Sequence, residues 1–211
     1  DSVSWYFEGG TPQYSNEHSP SIMYQDTGKF DVLMSAKLNG IWDTISILNL
    51  IDVYPLPNSN VLNSGSSSFC HGDSTILIAG EAEHFVWNNG DNSQSITVDS
   101  AGMYFVELTD SLGCTNLSDP IEITVWDPKA EISHEGDSII CAEESIVLSA
   151  LVANTYLWST GDTTQSIIVE SSGVYVVTIT DLNGCFANSS PSEIIQADSL
   201  FAMISSPSSN I

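Results

Sequence analysis

The sequence predicts an all-β chain of tandem sandwich domains, and three observations carry that reading. A 71-residue unit is written twice in register, at 57–127 and 128–198. Short period-two runs rich in Val, Ile, Thr, Tyr and Phe alternate with clusters of Gly, Asn, Asp and Ser. Almost nothing follows a helical period, so the strands belong to antiparallel sandwiches and not to a sheet with crossover helices.

Element by element, Asp1-Ser-Val-Ser-Trp5-Tyr-Phe7 opens as a strand, and a longer strand runs from Val32 into Leu38. Asn39-Gly40 is a hairpin turn, and Thr44–Val53 is the returning strand. Residues 1–56 therefore read as the C-terminal part of a sandwich whose front strands are not in this sequence. The first repeat, 57–127, has strands at Ser74–Ala79, Glu83–Trp87, Ser95–Val98, Met103–Thr109 and Ile121–Val125. The second, 128–198, has them at Ser145–Ala150, Thr155–Trp158, Ser166–Val169, Val174–Thr180 and Glu193–Ile195. Residues 199–211 carry a new apolar run, Leu200-Phe-Ala-Met-Ile204, and read as the start of a further domain or a linker. Both ends read as cut from something longer.

Nine positions keep step between the repeats. Cys70, Trp87, Gly90, Asp91, Gly102, Tyr104, Asp110, Gly113 and Cys114 return as Cys141, Trp158, Gly161, Asp162, Gly173, Tyr175, Asp181, Gly184 and Cys185. Trp87 and Trp158 supply the bulk of a core otherwise made of small aliphatics. Tyr104 and Tyr175 open a strand, where the ring packs and the hydroxyl reaches a nearby backbone group. Asp110 and Asp181 cap hairpin loops, and Asn89-Gly90-Asp91 and Thr160-Gly161-Asp162 are tight turns. Pro57 and Pro128 stand at the seams, in linkers too short and too stiff for free rotation.

Composition narrows the function. Three basic residues (Lys29, Lys37 and Lys129) face 27 acidic ones, for a formal charge of −24. Clustered Lys and Arg are what neutralise phosphates, so nucleic acid is excluded, and attraction to anionic lipid fails for the same reason. No run of 18 apolar residues supports direct membrane insertion. Repulsion across such a surface is screened best by high salt or divalent cations.

Few residues carry candidate chemistry. Each repeat holds two cysteines 44 residues apart, which suggests the intradomain pairs Cys70–Cys114 and Cys141–Cys185 in an oxidising compartment. Those positions fall at opposite ends of a simple sandwich. Either the segment before Ser74 folds back along the sheet, or these cysteines are not partners. Their wide spacing does not suit zinc. Asp91, Asp110, Asp162 and Asp181, in turns rich in carbonyls, are candidate calcium ligands, with turn capping the simpler role. His18, His71, His84 and His134 share no motif, and the carboxylate pairs Glu81/Glu83 and Glu143/Glu144 are unremarkable among so many acids. Asn116-Leu-Ser and Asn188-Ser-Ser fit the glycosylation pattern. No nucleophile, zinc-protease, phosphate-loop or dinucleotide motif is present, so no catalytic residue is expected.

Two resemblances follow from these residues. Trp5-Tyr-Phe7, Gly9-Gly10, Pro20 and Tyr24-Gln-Asp-Thr-Gly28-Lys-Phe30-Asp-Val32 resemble the middle of a PKD domain, with Phe30 in place of the usual tyrosine. Cys70-His-Gly72, Trp87-Asn-Asn-Gly90, Gly102-Met-Tyr104-Phe-Val106 and Thr109-Asp-Ser-Leu-Gly-Cys114 resemble the tandem immunoglobulin-like modules of large secreted Bacteroidetes proteins. Many of those are adhesins or gliding-associated surface proteins exported by the type IX system. The second copy departs at Glu143, where the pattern has glycine. The resemblance implies a non-catalytic, extracellular, cell-surface segment forming a stalk or filament. Its partners would be neighbouring domains of the same chain, other filament subunits or copies of itself, or a surface glycan or protein. The alternative is a spacer or carbohydrate-binding accessory region of a secreted polysaccharidase or protease. Trp126 is the aromatic to watch, since it lies at a seam and aligns with Ala197.

Overall fold

A computed structural model describes residues 2–197, so the expected further domain or linker at 199–211 lies outside the described residues. All the regular elements among them are strands. The first segment contributes β1 (Ser2–Phe7), β2 (Gly10–Thr11), β3 (Tyr14–Ser15), β4 (Met23–Tyr24), β5 (Gly28–Leu38) and β6 (Ile41–Val53). Asn39 and Gly40 both take positive φ, as a two-residue hairpin turn requires, and they join β5 to β6. These strands form one four-stranded sheet, ordered β3-β1-β5-β6, beside a two-stranded β2-β4 ladder. Where the sequence suggests part of a two-sheet sandwich, this segment has one main sheet with only the short ladder beside it. Phe7 and Val32 are its buried apolar residues, and every residue of β6 from Ile41 to Leu50 is exposed.

The glycine pair of this segment has a steric reason. A Cβ on Gly9 would stand 2.5 Å from the Phe30 ring, and one on Gly10 would stand 2.5 Å from the Ile22 side chain. Phe30 in turn packs against Tyr24, ring centroids 5.0 Å apart. The aromatic at position 30 therefore fills the space that Gly9 leaves, and Ile22 fills that at Gly10.

The first repeat contributes β7 (Val61–Asn63), β8 (Ser68–Cys70), β9 (Thr75–Ala79), β10 (His84–Trp87), β11 (Ser95–Val98), β12 (Gly102–Tyr104), β13 (Val106–Thr109), β14 (Thr115–Leu117) and β15 (Ile121–Trp126). The second contributes β16 (Ile132–His134), β17 (Ile139–Ile140), β18 (Ile146–Ala150), β19 (Thr155–Trp158), β20 (Ser166–Val169), β21 (Gly173–Tyr175), β22 (Val177–Thr180), β23 (Phe186–Asn188) and β24 (Ser192–Gln196). Sheets β7-β9-β11, β10-β13-β14 and β12-β15-β8 have direct counterparts in β16-β18-β20, β19-β22-β23 and β21-β24-β17. These are small sheets, consistent with tandem sandwich-like domains. All the pairings are antiparallel except β8 with β15 and β17 with β24, which are parallel.

Alternating burial builds each core. β9 and β18 bury alternate residues, as do β11 and β20. Leu77, Trp87, Val106, Leu108 and Ile123 form the centre of the first core, and Leu148, Trp158, Val177, Ile179 and Ile194 that of the second. Each buried indole satisfies its N–H locally. Trp87 Nε1 donates to the Ser93 carbonyl at 2.9 Å, and Trp158 Nε1 to that of Thr164 at 2.8 Å.

Met103–Thr109, expected as one strand, breaks at Phe105. The Phe105 N–H donates to Asn88 Oδ1 at 3.1 Å, and the Asn88 N–H donates to the Phe105 carbonyl at 3.0 Å. The chain therefore leaves β15 and pairs with β10 and β14. Val176 and Ser159 make the same exchange in the second repeat, at 2.8 and 3.3 Å. Ser118 and Ser189 are buried for a related reason, their hydroxyls accepting the N–H groups of Val106 and Val177 at 3.0 and 3.1 Å.

Candidate functional site: the seam between the repeats

Each repeat carries one cysteine at each end. Cys70 closes β8 opposite Trp126, the last residue of β15, and the His71 N–H donates to the Trp126 carbonyl at 2.8 Å. That is the lower end, where the chain leaves the module. Cys114 follows the hairpin loop Asp110–Gly113, next to Thr109, whose carbonyl accepts from Glu83 at 2.8 Å. Asn116 Nδ2 reaches the Pro57 carbonyl at 2.9 Å, so this is the upper end, where the chain arrives. The second repeat repeats the arrangement. Ile140 pairs with Gln196 at its lower end, and the Asp181–Gly184 loop stands at its upper end beside Asn154 and Thr180.

The disulfide follows from this placement and corrects the expected pairing. Cys70 is bonded to Cys185, with Cα atoms 5.4 Å apart, while Cys114 and Cys141 are free thiols. An intradomain bond would have to span the length of the module. Strands of four to six residues cover roughly 13–20 Å, whereas a disulfide needs Cα atoms within about 7 Å. The 115-residue separation is one 44-residue spacing plus one 71-residue repeat. The bond joins the lower end of the first module to the upper end of the second.

Little else crosses that seam. Among the described residues no strand of one repeat pairs with a strand of the other. Lys129 bonds Asp127, and that contact, aided by His71, holds the Asp127 carboxyl below the usual carboxylate range. Lys29 plays a comparable part before the first seam, 3.0 Å from Asp52, which also accepts the Tyr54 hydroxyl at 3.0 Å. Two of the three basic residues thus stand beside linkers. Exposed pairs of this kind contribute little to stability.

The four candidate calcium ligands lie in separate turns and are occupied there. Asp110 Oδ1 accepts the N–H groups of Leu112 and Cys114, both at 2.9 Å, and Asp181 Oδ1 accepts those of Asn183 and Cys185 at 2.8 and 2.9 Å. Asp91 accepts from Ser93, whose hydroxyl and N–H hold its carboxyl below the usual range. Burial pushes the Asp181 carboxyl up, but the hydrogen bonds from Cys185, Asn183 and Gly184 outweigh it, and its pKa is lowered. Asp162 accepts the Thr160 hydroxyl at 2.7 Å. Among the described residues no three His, Cys, Asp or Glu side chains come together to hold a metal.

Tyr104 and Tyr175 donate their hydroxyls to the carbonyls of Ser100 and Ser171, at 3.0 and 2.9 Å. Trp126 is 38% exposed at the seam. Trp42, which sequence reasoning passed over, is 51% exposed on β6, with Lys37 Nζ 5.8 Å above its ring. Trp42 lies ahead of the expected strand Thr44–Val53, and it is the earlier start of β6 at Ile41 and its place at the sheet edge that expose the indole.

No family model and no curated protein matches the chain. Among solved structures it is similar to the three N-terminal domains of the bacteriophage RB49 Highly Immunogenic Outer Capsid protein, with 20% identity over 67% of this chain and 59% of that one, at a TM-score of 0.31. Murine CEACAM1b gives 10% identity over 65% of this chain and all of that one, at 0.30. A Bacteroides ovatus mixed-linkage glucan utilization locus protein, SGBP-B, in complex with a mixed-linkage heptasaccharide, gives 13% identity over 93% of this chain and 60% of that one, at 0.21. The chain spans about 59% of the length of the phage protein fragment. At these TM-scores the likenesses carry no argument about what this chain does.

Proposed function

We infer that this chain is a non-catalytic, extracellular segment of a larger bacterial surface protein, built from immunoglobulin-like modules and serving as a stalk or filament part. The observation that carries the reading is the Cys70–Cys185 bond across a seam that no strand pairing crosses. A bond there lies outside the hydrophobic cluster of either module and limits how far one module swings on the next, which is a mechanical role. Persisting disulfides belong to oxidising compartments, in keeping with an exported protein. The parallel β8–β15 ladder and the split β12–β13 strand are in keeping with an immunoglobulin-type sandwich.

A rod carrying −24 would be straightest in high salt or calcium, where repulsion between modules is screened. Small-angle scattering of the chain across a salt series tests this, with and without reductant. Elongated particles that bend more freely once Cys70–Cys185 is reduced support the reading. A compact particle under all conditions overturns it. The exposed Trp42 favours a second reading, a glycan-binding accessory region, which requires Trp42→Ala to abolish retention on a polysaccharide matrix.

A further inference from the structure

We propose that Cys141 is half of a second inter-module disulfide, its partner being the upper-end cysteine of another module of the same kind docked below the second repeat. The inference rests on the stalk reading and names the covalent junction that such a stalk would use.

Cys141 occupies the position that Cys70 occupies one repeat earlier, and Cys70 is bonded. The ladders agree in register: Phe69 pairs with Val125, and Ile140 pairs with Gln196. The turns after the two cysteines also agree. The Asp73 N–H donates to the Cys70 carbonyl at 3.0 Å, and the Glu144 N–H to the Cys141 carbonyl at 3.1 Å. Gly72 sits at φ 97° in the first turn. Glu143 holds φ 68° at the same place in the second, although it carries a side chain and must bear the strain. Keeping that turn without its glycine preserves the direction in which the cysteine is presented.

Cys141 is exposed, and beside it the laddered pair Ile139 and Ile195 presents apolar surface, 57% and 48% exposed, where the first repeat has Ser68 and Thr124. The complementary half is also defined. Cys114 and Cys185 follow loops whose aspartate accepts the same two backbone N–H groups, and Cys185 shows that this loop can accept a lower-end cysteine. Residues 1–56 and 199–211 contain no cysteine, so the partner of Cys141 is not supplied by them. The reaction joins two thiols into one disulfide and releases two protons and two electrons. A disulfide oxidant such as oxidised glutathione takes these up and becomes two thiols.

The test appends a second copy of residues 128–198 directly after residue 198, with oxidised and reduced glutathione present during folding. Peptide mapping without reduction is expected to find Cys70 joined to Cys185 and Cys141 joined to the appended counterpart of Cys185. The alkylated thiols stay at two while the disulfides rise from one to two. Introducing Cys141→Ser into the extended chain should leave that appended cysteine open to alkylation. A second chain carrying residues 57–127 in the appended place guards against a copy that fails to fold. Cys141 left alkylatable in both chains, or bonded within its own module, overturns the proposal. Scattering by the unextended chain is unaffected by either result, so failure here is separable from failure of the stalk reading.

Discussion

The two repeats share their strands, their registers and their buried tryptophans, yet their cysteines are in opposite states. In the first the lower cysteine, Cys70, is bonded and the upper, Cys114, is free. In the second the upper, Cys185, is bonded and the lower, Cys141, is free. A difference between units so alike cannot come from local folding. It comes from position: only the seam brings a lower end to an upper end. The covalent unit is therefore the junction, while the cohesive unit is the module with its own core. The first segment sharpens the contrast, since its β6 leaves Ile41, Trp42, Ile45, Leu48 and Leu50 uncovered and it contains no cysteine.

The largest effect that would break this equivalence is removal of the core indole. Trp87→Ala should cost the first module about 3–5 kcal/mol, and Trp158→Ala the second by a similar amount, because both side chains are almost fully buried. Hydrogen exchange of the full chain in increasing denaturant assigns the loss to a module. A loss spread equally over both modules would mean that they share one cooperative core.

The tyrosines offer a smaller test of the same equivalence. Tyr104→Phe and Tyr175→Phe each remove one hydroxyl-to-carbonyl bond and should cost about 1 kcal/mol in their own module. Tyr175 is buried and Tyr104 only partly so, which makes the second module the more sensitive.

Where the repeats differ in sequence, the expected signs are opposite. Gly72→Ala forces a side chain into positive φ and should destabilise the first module by about 1 kcal/mol. Glu143→Gly relieves that strain and should stabilise the second by a similar or smaller amount. Equal signs from thermal unfolding of the two variants would mean that the turns are not equivalent.

The smallest effect is on pH. Asp91 and Asp181 have lowered pKa values, so their caps contribute fully above the ordinary carboxylate pKa, and that contribution fades as pH falls through the lowered values. Asp91→Asn and Asp181→Asn should each flatten the acid side of the stability profile of its own module.

What the sequence made legible was whatever had enough length to show a period. The alternating runs read at Ser74–Ala79, Ser95–Val98 and their counterparts appear as strands, the first of them starting at Thr75, as do both arms of the Asn39-Gly40 hairpin. Strands of two or three residues escaped: Val61–Asn63, Ser68–Cys70 and Thr115–Leu117 are too short and too polar for alternation to register. The break at Phe105 was hidden because the residue is itself a good strand former, and only its bonds to Asn88 move the chain between sheets. Ser118 and Ser189 stand out in the sequence only within the Asn116-Leu-Ser and Asn188-Ser-Ser patterns, which give no sign that their hydroxyls are buried on the Val106 and Val177 N–H groups. The equal spacing pointed to intradomain cysteine pairs and misled, because a constant spacing is equally compatible with a bond across a seam. Only knowing which end of the sandwich each cysteine occupies decides between them.

That decision is tested most directly by mapping the cysteines of residues 1–211 by alkylation and digestion without reductant. One disulfide-linked peptide pair is expected, Cys70 with Cys185, together with two alkylated thiols, Cys114 and Cys141. Linked pairs of Cys70 with Cys114 and Cys141 with Cys185 would contradict it, returning the covalent bond to the module and leaving the seam without its fastening.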